Sequence, residues 1–536
     1  MNLICAETKA VRGWLAGMGL AIALWCACVP AALAALGTGT NSTPRWPPLA
    51  EVLKKWADTP LDAVQRAAEG GDLTAQHYLG YCYTEGLRTG MNLETGIAWY
   101  ERAFKAGYAP SGNNLGLVYQ RSLATNSNNA SKMVHYYRAA AGSGSAVAQA
   151  NLGILYRDGL GVPRDPAEAM NWFRQAADQD NLTAIIEIGR LYRFGRGVPK
   201  NVPEALRWFQ RAADREDRLG LLNLGWMHGY EAETPINQQT ALQYYERAAG
   251  LGEPEAMYEL YFSYRDGKGV GVDKSKAMEW LRKAAEGGCA NAQYLLGYEN
   301  GHTIGKRDVA EAIKWWTRAA EQNHLKALDE MADVYLNGDG VEQDEERALE
   351  FVRKAADLDY GAAQFKLAWM YSQDIGEPRN EQDRPFNLLL HSAANGDGDG
   401  CLALSLRYRD GLGTQRDFVE AAGWRFRAVL VNLMRFGHND PEVLQVFRKA
   451  GPTDPFSTVL LLFGNAARGG DPGAFKQIGN LYLEGKDVQR NPARAQFWFA
   501  LAATGGNGAA ESPPAWFKQW NEEAQAAREV IGVLRP

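Results

Sequence analysis

Residues 148–177 read AQANLGILYRDGLGVPRDPAEAMNWFRQAA, and residues 184–213 read AIIEIGRLYRFGRGVPKNVPEALRWFQRAA. Both stretches carry, in the same order, a Leu-Gly or Ile-Gly step, a Tyr, a Gly-x-Gly-Val loop, an aromatic pair and Ala-Ala, and they begin 36 residues apart. A fixed period of this length is typical of arrays in which each unit buries its hydrophobic face only against its neighbours. The sequence therefore predicts a stack of helical repeats.

The composition agrees with an array and argues against a nucleic-acid surface. The chain has 536 residues, of which 46% are hydrophobic and 22% charged, and its formal net charge is -6. A chain of this length exceeds what one ordinary core organises, whereas an array grows by adding units. No basic domain stands out, which disfavours binding to phosphate backbones.

Each unit reads as two amphipathic helices joined by a glycine-rich loop. A glycine inside a helix costs about 1 kcal/mol relative to alanine, so its return in the Leu-Gly step indicates close approach of the second helix. Asp165, Pro166 and Glu168 have the pattern of an N-cap, a first-turn proline and a capping box. We expect the recurring aromatic residues Tyr156, Tyr192, Trp172 and Trp208 to belong to the core.

These residues resemble the Sel-1-like repeat, a relative of the tetratricopeptide repeat with a longer glycine-rich loop. The resemblance covers about residues 61–505 and implies an all-α fold, an α-α superhelix built as a right-handed solenoid of about twelve helix-turn-helix repeats. Residues 429–473 are expected to hold a degenerate unit, because the repeat spacing doubles there. Residues 35–60 read as a linker, and residues 506–536 as a linker followed by a capping helix.

The N-terminal residues 1–34 have the pattern of a secretory signal peptide. Lys9 and Arg12 precede an apolar run, and Ala32 to Ala34 offer a small-residue cleavage site. We expect a secreted or periplasmic protein, with an uncleaved membrane anchor as the alternative. After cleavage three cysteines remain, Cys82, Cys289 and Cys401, and their wide separation predicts buried free thiols.

The sequence contains no pattern that indicates an active site, a cofactor site or a metal site. Its seven histidines fall in different units without metal-ligand spacing. The Gly-x-Gly loops are not preceded by a strand and are not followed by the Lys-Ser/Thr of a phosphate-binding loop. We therefore predict a protein that is not an enzyme.

If the first helices line the concave side, as the resemblance to tetratricopeptide arrays implies, one stripe of each first helix faces a partner. This stripe comprises the positions two before, two after and five after the Leu of the Leu-Gly step, which share a helix face. Its aromatic members are Trp226, Tyr258, Phe262, Tyr294, Tyr298, Phe365 and Trp369, and its arginines are Arg157, Arg190, Arg193 and Arg265. Such residues dominate protein-binding hot spots, although packing between repeats and solvated surface are the alternatives.

The function expected from these features is an exported scaffold or adaptor that binds a protein or peptide in the cell envelope. The resemblance implies roles in complex assembly or regulation. An envelope glycan or peptidoglycan fragment stacked on the same aromatics is the alternative. A β-lactam-related hydrolase ranks last, because the family subgroup linked to that chemistry has paired cysteines that this chain lacks.

Overall fold

The computed structural model describes residues 46–123, 128–231, 237–302, 307–436, 459, 472–485 and 488–503. The expected signal peptide at 1–34 and the expected capping segment at 506–536 lie outside the described residues. Within the described ranges the chain forms helices and no strand, which confirms the all-α prediction. The chain divides into two compact units, Met1–Glu299 and Asn300–Pro536.

The first unit contains helices α1 to α14 and most of α15. Odd-numbered helices from α3 onward are the first helices of repeats, and even-numbered helices are the second helices. Their bounds are α1 Leu49–Ala57, α2 Leu61–Glu69, α3 Leu73–Glu85, α4 Leu93–Lys105, α5 Ala109–Arg121, α6 Asn129–Gly142, α7 Ala146–Asp158, α8 Pro166–Asp178, α9 Leu182–Phe194, α10 Val202–Ala213, α11 Arg218–Tyr230, α12 Gln238–Gly250, α13 Pro254–Asp266, α14 Lys274–Glu286 and α15 Ala290–His302.

The second unit continues the same alternation of helices. Its bounds are α16 Val309–Glu321, α17 Leu325–Asn337, α18 Glu345–Asp357, α19 Gly361–Ser372, a 3-10 turn Glu381–Asp383, α20 Pro385–Ala394, α21 Gly398–Asp410, α22 Phe418–Phe436, α23 Pro472–Glu484 and α24 Pro492–Ala503. Within each unit a second helix packs on its own first helix and on the first helix of the next repeat. The core therefore runs along the chain from repeat to repeat.

The loop and cap of the repeat behave as the sequence predicts. Gly159 ends α7 with φ 75° and Gly161 follows with φ 70°, a left-handed backbone that favours glycine. The Asp165 carboxylate then accepts hydrogen bonds from the backbone N–H groups of Ala167 and Glu168, both at 3.0 Å, and begins α8. These local signals set the length and the ends of each hairpin.

The glycine of the Leu-Gly step is required by the aromatic ring of the second helix. A Cβ atom built on Gly153 would lie 2.6 Å from Cε1 of Phe173, and Phe173 is fully buried. The same contact recurs in the repeat of α11 and α12, where a Cβ on Gly225 would lie 2.3 Å from Cε1 of Tyr245. The predicted close approach of the two helices is confirmed.

The prediction that Tyr156, Tyr192, Trp172 and Trp208 lie in the core is only partly correct. The fully buried ring is the second of each aromatic pair, Phe173 or Phe209, whereas these four side chains are partly exposed. Neighbouring residues on a helix point about 100° apart, so only one ring of a pair can face the glycine. The Tyr156 hydroxyl instead accepts a hydrogen bond from Arg138 at 2.9 Å.

The expected linker at 35–60 is partly helical. Residues 49–57 form α1, and its buried Val52 joins a core cluster with Val64 of α2 and Leu79 of α3. Arg88 fixes the end of α1 by donating hydrogen bonds to the carbonyl oxygens of Trp56 and Thr59. The helix α1 therefore extends the helical core on the N-terminal side of α2.

The expected degenerate unit at 429–473 lies mostly outside the described residues, although α22 continues through its start as far as Phe436. The hairpin α23–α24 contacts the beginning of α22. The Tyr482 hydroxyl donates to the Asp417 carboxylate at 3.1 Å, and Arg494 forms an ion pair with Glu420 at 2.8 Å. A buried polar cluster thus connects the last described hairpin to α22.

Cys82, Cys289 and Cys401 are buried free thiols, as predicted. Burial raises the pKa of the Cys82 thiol and raises that of Cys289 to about 12. The Cys82 and Cys289 thiols therefore remain protonated near neutral pH. All three buried cysteines contribute to packing. No helix in the described part of the chain combines the length and the apolar character needed to cross a bilayer.

Candidate partner-binding surface

In the first unit, the aromatic stripe lies on three consecutive first helices, α11, α13 and α15. Trp226, Tyr258, Phe262 and Tyr294 are partly exposed, and Tyr298 is 44% exposed. Such large rings at a protein surface supply much of the contact energy when a partner covers them. We call these five residues the aromatic stripe of the first unit.

The rings on α13 contact one another. Tyr258 and Phe262 meet edge to face with centroids 4.9 Å apart, and the Arg265 guanidinium lies 4.6 Å from the centre of Phe262. On α15, the centroids of Tyr294 and Tyr298 are 6.2 Å apart. Ring pairs in these arrangements attract each other, so this part of the stripe is preorganised.

The second unit carries Phe365 and Trp369 on α19. Trp369 is 46% exposed, whereas Phe365 is partly buried. Between them Lys366 forms ion pairs with Asp329 and Asp333 of α17, the latter at 2.8 Å. Burial lowers the pKa of Lys366, but the two carboxylates outweigh it and raise the pKa overall. This ammonium group is thus held between α17 and α19.

The four arginines of the stripe all form ion pairs within the protein. Arg157 pairs with Asp158 and Glu187, and Arg190 pairs with the same Glu187 at 2.9 Å. Arg193 pairs with Glu231 at 3.2 Å, and Arg265 pairs with Asp266 at 2.6 Å. Arg157 and Arg193 therefore link neighbouring first helices, whereas Arg190 and Arg265 pair within their own helix, and the positive charge of all four is largely compensated.

The pKa shifts agree with this pairing. Burial lowers the pKa of Arg157, but its hydrogen bonds and attraction to Asp158 and Glu187 raise it further than burial lowers it. For the carboxylate of Glu231, burial acts in the opposite direction and raises the pKa. The contacts of Glu231 with Lys200 and Arg193 outweigh burial, so its pKa is lowered overall. In both residues the net shift of the pKa favours the charged form.

Sequence reasoning missed the acidic residues that hold these side chains. Glu187 and Glu259 both stand immediately before the Leu position of their first helix, outside the predicted stripe. Glu187 is only 6% exposed, and Glu259 accepts hydrogen bonds from Trp226 Nε1 at 2.9 Å and from the Tyr230 hydroxyl at 2.8 Å. The recurrence of a polar residue immediately before the Leu position is the sequence signal that would have identified Glu187 and Glu259.

His77 and Ser111 form a buried polar pair in the first unit. The Nδ1 atom of His77 lies 2.8 Å from the Ser111 hydroxyl, but His77 is 2% exposed and Ser111 is fully buried. Burial lowers the pKa of His77 to about 3, so the imidazole is neutral. The pair links α3 to α5. Among the described residues, no group of three or more His, Cys, Asp or Glu side chains is arranged to hold a metal ion.

The sequence also matches a family model, the Sel1 repeat, in ten segments. The matched segments are residues 73–108, 146–181, 183–217, 219–253, 254–289, 290–324, 325–360, 361–384, 398–424 and 477–507. Together they cover more than half of the chain. The chain belongs to the Sel1 repeat family. Sel1 repeats are typically modules for protein–protein interaction.

Solved structures similar to this Sel1 repeat protein include a protective antigen of uropathogenic Escherichia coli strains with an SLR fold. It is 25% identical, and the match covers 89% of this chain and 98% of that chain with a TM-score of 0.41. A Sel1 repeat protein from Oxalobacter formigenes is 27% identical over 65% of this chain and 99% of its own, with a TM-score of 0.39. No curated protein sequence matches the chain.

Proposed function

We propose that this Sel1 repeat protein is an exported scaffold or adaptor that binds a protein partner through its first-helix surface. The observation that carries the proposal is the aromatic stripe of the first unit, which exposes rings on three consecutive first helices. Tyr298 is 44% exposed, whereas rings that fill the interior, such as Phe173 and Phe209, are fully buried. Exposed rings of this kind reduce their contact with water when a partner covers them.

Export to the cell envelope is part of this proposal. It is supported by the basic, apolar and small-residue pattern of residues 1–34, which is typical of a secretory signal. The role that this location favours is assembly or regulation of an envelope complex.

In-cell crosslinking tests the proposed function. The wild-type chain and a triple variant, Trp226→Ala, Phe262→Ala and Trp369→Ala, would be crosslinked in the cell, and the partners identified by mass spectrometry. We expect the variant to lose the captured partner while its helicity and melting temperature stay nearly unchanged. A matched control replaces three exposed apolar residues outside the stripe, Leu251, Val272 and Leu412, with alanine and should retain the partner.

Two outcomes would contradict the proposal. Undiminished capture by the triple variant would remove the stripe from the binding surface. A large loss of stability in that variant would show that the rings are part of the core. Binding of purified envelope glycan fragments by the protein alone would favour the glycan hypothesis instead.

A further inference from the structure

In several repeats one position links neighbouring first helices. It is the residue immediately before the Leu position, and we call it the linking position. Asn151 at this position donates a hydrogen bond to Asn113 of the preceding first helix at 2.8 Å. In the second unit, Glu330 contacts His302 at 3.1 Å and Lys366 contacts Asp333 at 2.8 Å in the same manner. The linking position therefore directs a polar group toward the preceding repeat.

Glu187 occupies the linking position of α9, and its negative charge is compensated by two arginines. Its carboxylate receives Arg157 from the preceding first helix, α7, and Arg190 from its own helix, α9. With two guanidinium groups on a carboxylate that is 6% exposed, the site is closed to further cations.

Glu259 occupies the linking position of α13, two repeats later, without either arginine. The residue that corresponds to Arg157 is Gly229, and the residue that corresponds to Arg190 is Phe262. The Glu259 carboxylate receives hydrogen bonds from two neutral groups of α11, the indole of Trp226 and the hydroxyl of Tyr230. These bonds hold the carboxylate in place but leave its negative charge uncompensated.

Two cations near the end of α13 are directed to other groups. Arg265 forms a two-pronged ion pair with Asp266, and the Lys268 ammonium lies 5.4 Å from the centre of the Tyr230 ring and 3.9 Å from Asp266. Among the residues that the structure describes, no Lys, Arg or His nitrogen comes within 4.0 Å of the Glu259 carboxylate. A partly exposed carboxylate in this setting has capacity for one more charged donor.

We propose that Glu259, together with Trp226, Tyr230 and Phe262, binds a basic side chain, lysine or arginine, of the protein partner. The carboxylate supplies the opposite charge. Because Phe262 and Tyr230 already face Arg265 and Lys268, the aromatic groups supply an apolar wall for the alkyl part of the basic side chain. Phe262 stands one turn beyond Glu259 on α13, and Tyr230 is 47% exposed, so the group is open to a partner. The inference rests on the proposed function, because the basic side chain belongs to the partner that the stripe captures.

A fluorine NMR titration of the full chain tests this site. Tryptophan is replaced throughout by 5-fluorotryptophan, and the resonance of residue 226 is assigned with Trp226→Phe. The probes are the capped tripeptides acetyl-Gly-Lys-Gly-amide and acetyl-Gly-Arg-Gly-amide, with acetyl-Gly-Gln-Gly-amide as the neutral comparison. We expect the basic peptides to shift the Trp226 resonance saturably, with at least tenfold higher affinity than the glutamine peptide.

Two variants complete the test. Glu259→Gln keeps one oxygen to accept the Trp226 hydrogen bond and presents an amide N–H group from which the Tyr230 hydroxyl can accept a hydrogen bond, but it removes the charge, and it should abolish the difference between basic and neutral peptides. Glu187→Gln changes the same repeat position where the charge is already compensated, and it should leave the response of Trp226 unchanged. Thermal melting of both variants confirms that they are folded at the temperature of the titration.

The proposal is overturned if the basic peptides bind no better than the glutamine peptide, or if Glu259→Gln retains the preference. A failure of the proposed function gives a different result. If the proposed function is wrong, the triple alanine variant captures the same partner as the wild type, whatever response the peptides produce at Trp226.

Discussion

The repeats that immediately precede Glu187 and Glu259 have the same interior, whereas the surroundings of the two glutamates differ. In both, the glycine of the first helix lies against an aromatic ring of the second, Gly153 against Phe173 and Gly225 against Tyr245. On the surface, Glu187 is neutralised by two arginines, whereas Glu259 is held by an indole and a hydroxyl. The difference teaches that interior positions maintain the array, while the linking and stripe positions are where individual repeats acquire specificity.

The largest expected effect tests the shared interior. We expect Gly153→Ala and Gly225→Ala each to lower the free energy of unfolding by about 1–3 kcal/mol, because the added methyl group would overlap the facing ring. Denaturant unfolding followed by circular dichroism measures the change. Gly142, at the exposed end of α6, has no atom within 4 Å of an added Cβ. Gly142→Ala should therefore be neutral or slightly stabilising. Equal changes in unfolding free energy for all three glycine variants would contradict the close packing of Gly153 and Gly225 against the facing rings.

The next effect distinguishes the two surfaces. We expect Glu187→Gln to cost about 1–2 kcal/mol, because it leaves Arg157 and Arg190 without their shared carboxylate in a partly buried site. Glu259→Gln should cost less than about 0.5 kcal/mol, because no cation loses a partner and the amide oxygen can still accept a hydrogen bond. The same unfolding experiment compares them. A larger loss at Glu259 than at Glu187 would contradict our assignment of their roles.

The interior could be predicted from the sequence because the pattern repeats in phase. The Leu-Gly step, the Gly159 loop and the Asp165 cap each have one local physical reason, and their recurrence in many units made the helix pairs evident. The buried member of the aromatic pair was not identified correctly, since Trp172 and Phe173 differ only in their direction on the helix. Which of the two rings faces the first helix depends on the angle and offset at which the two helices cross, and the sequence alone does not reveal that geometry.

The surface was less predictable. The stripe residues are at least partly exposed, and their role in binding stays a prediction. The carboxylates that hold Arg157, Arg190 and Arg193 come from other turns or other helices. Pairing of this kind depends on the offset between neighbouring repeats, which a single sequence does not reveal. The helix α1 was missed for a local reason, because Pro44, Pro47 and Pro48 favour the reading of a linker, although Pro48 in fact stands at its N-cap.

The most direct test of the account is site-specific photocrosslinking in the cell at two residues that occupy the same repeat position. A benzophenone amino acid would replace Phe262 in one variant and Arg190 in the other, both two residues after the Leu position. The account predicts a partner adduct at position 262 and none at position 190, because only the first lies beside an uncompensated carboxylate and exposed rings. Adducts of equal yield at both positions, or at position 190 alone, would contradict it.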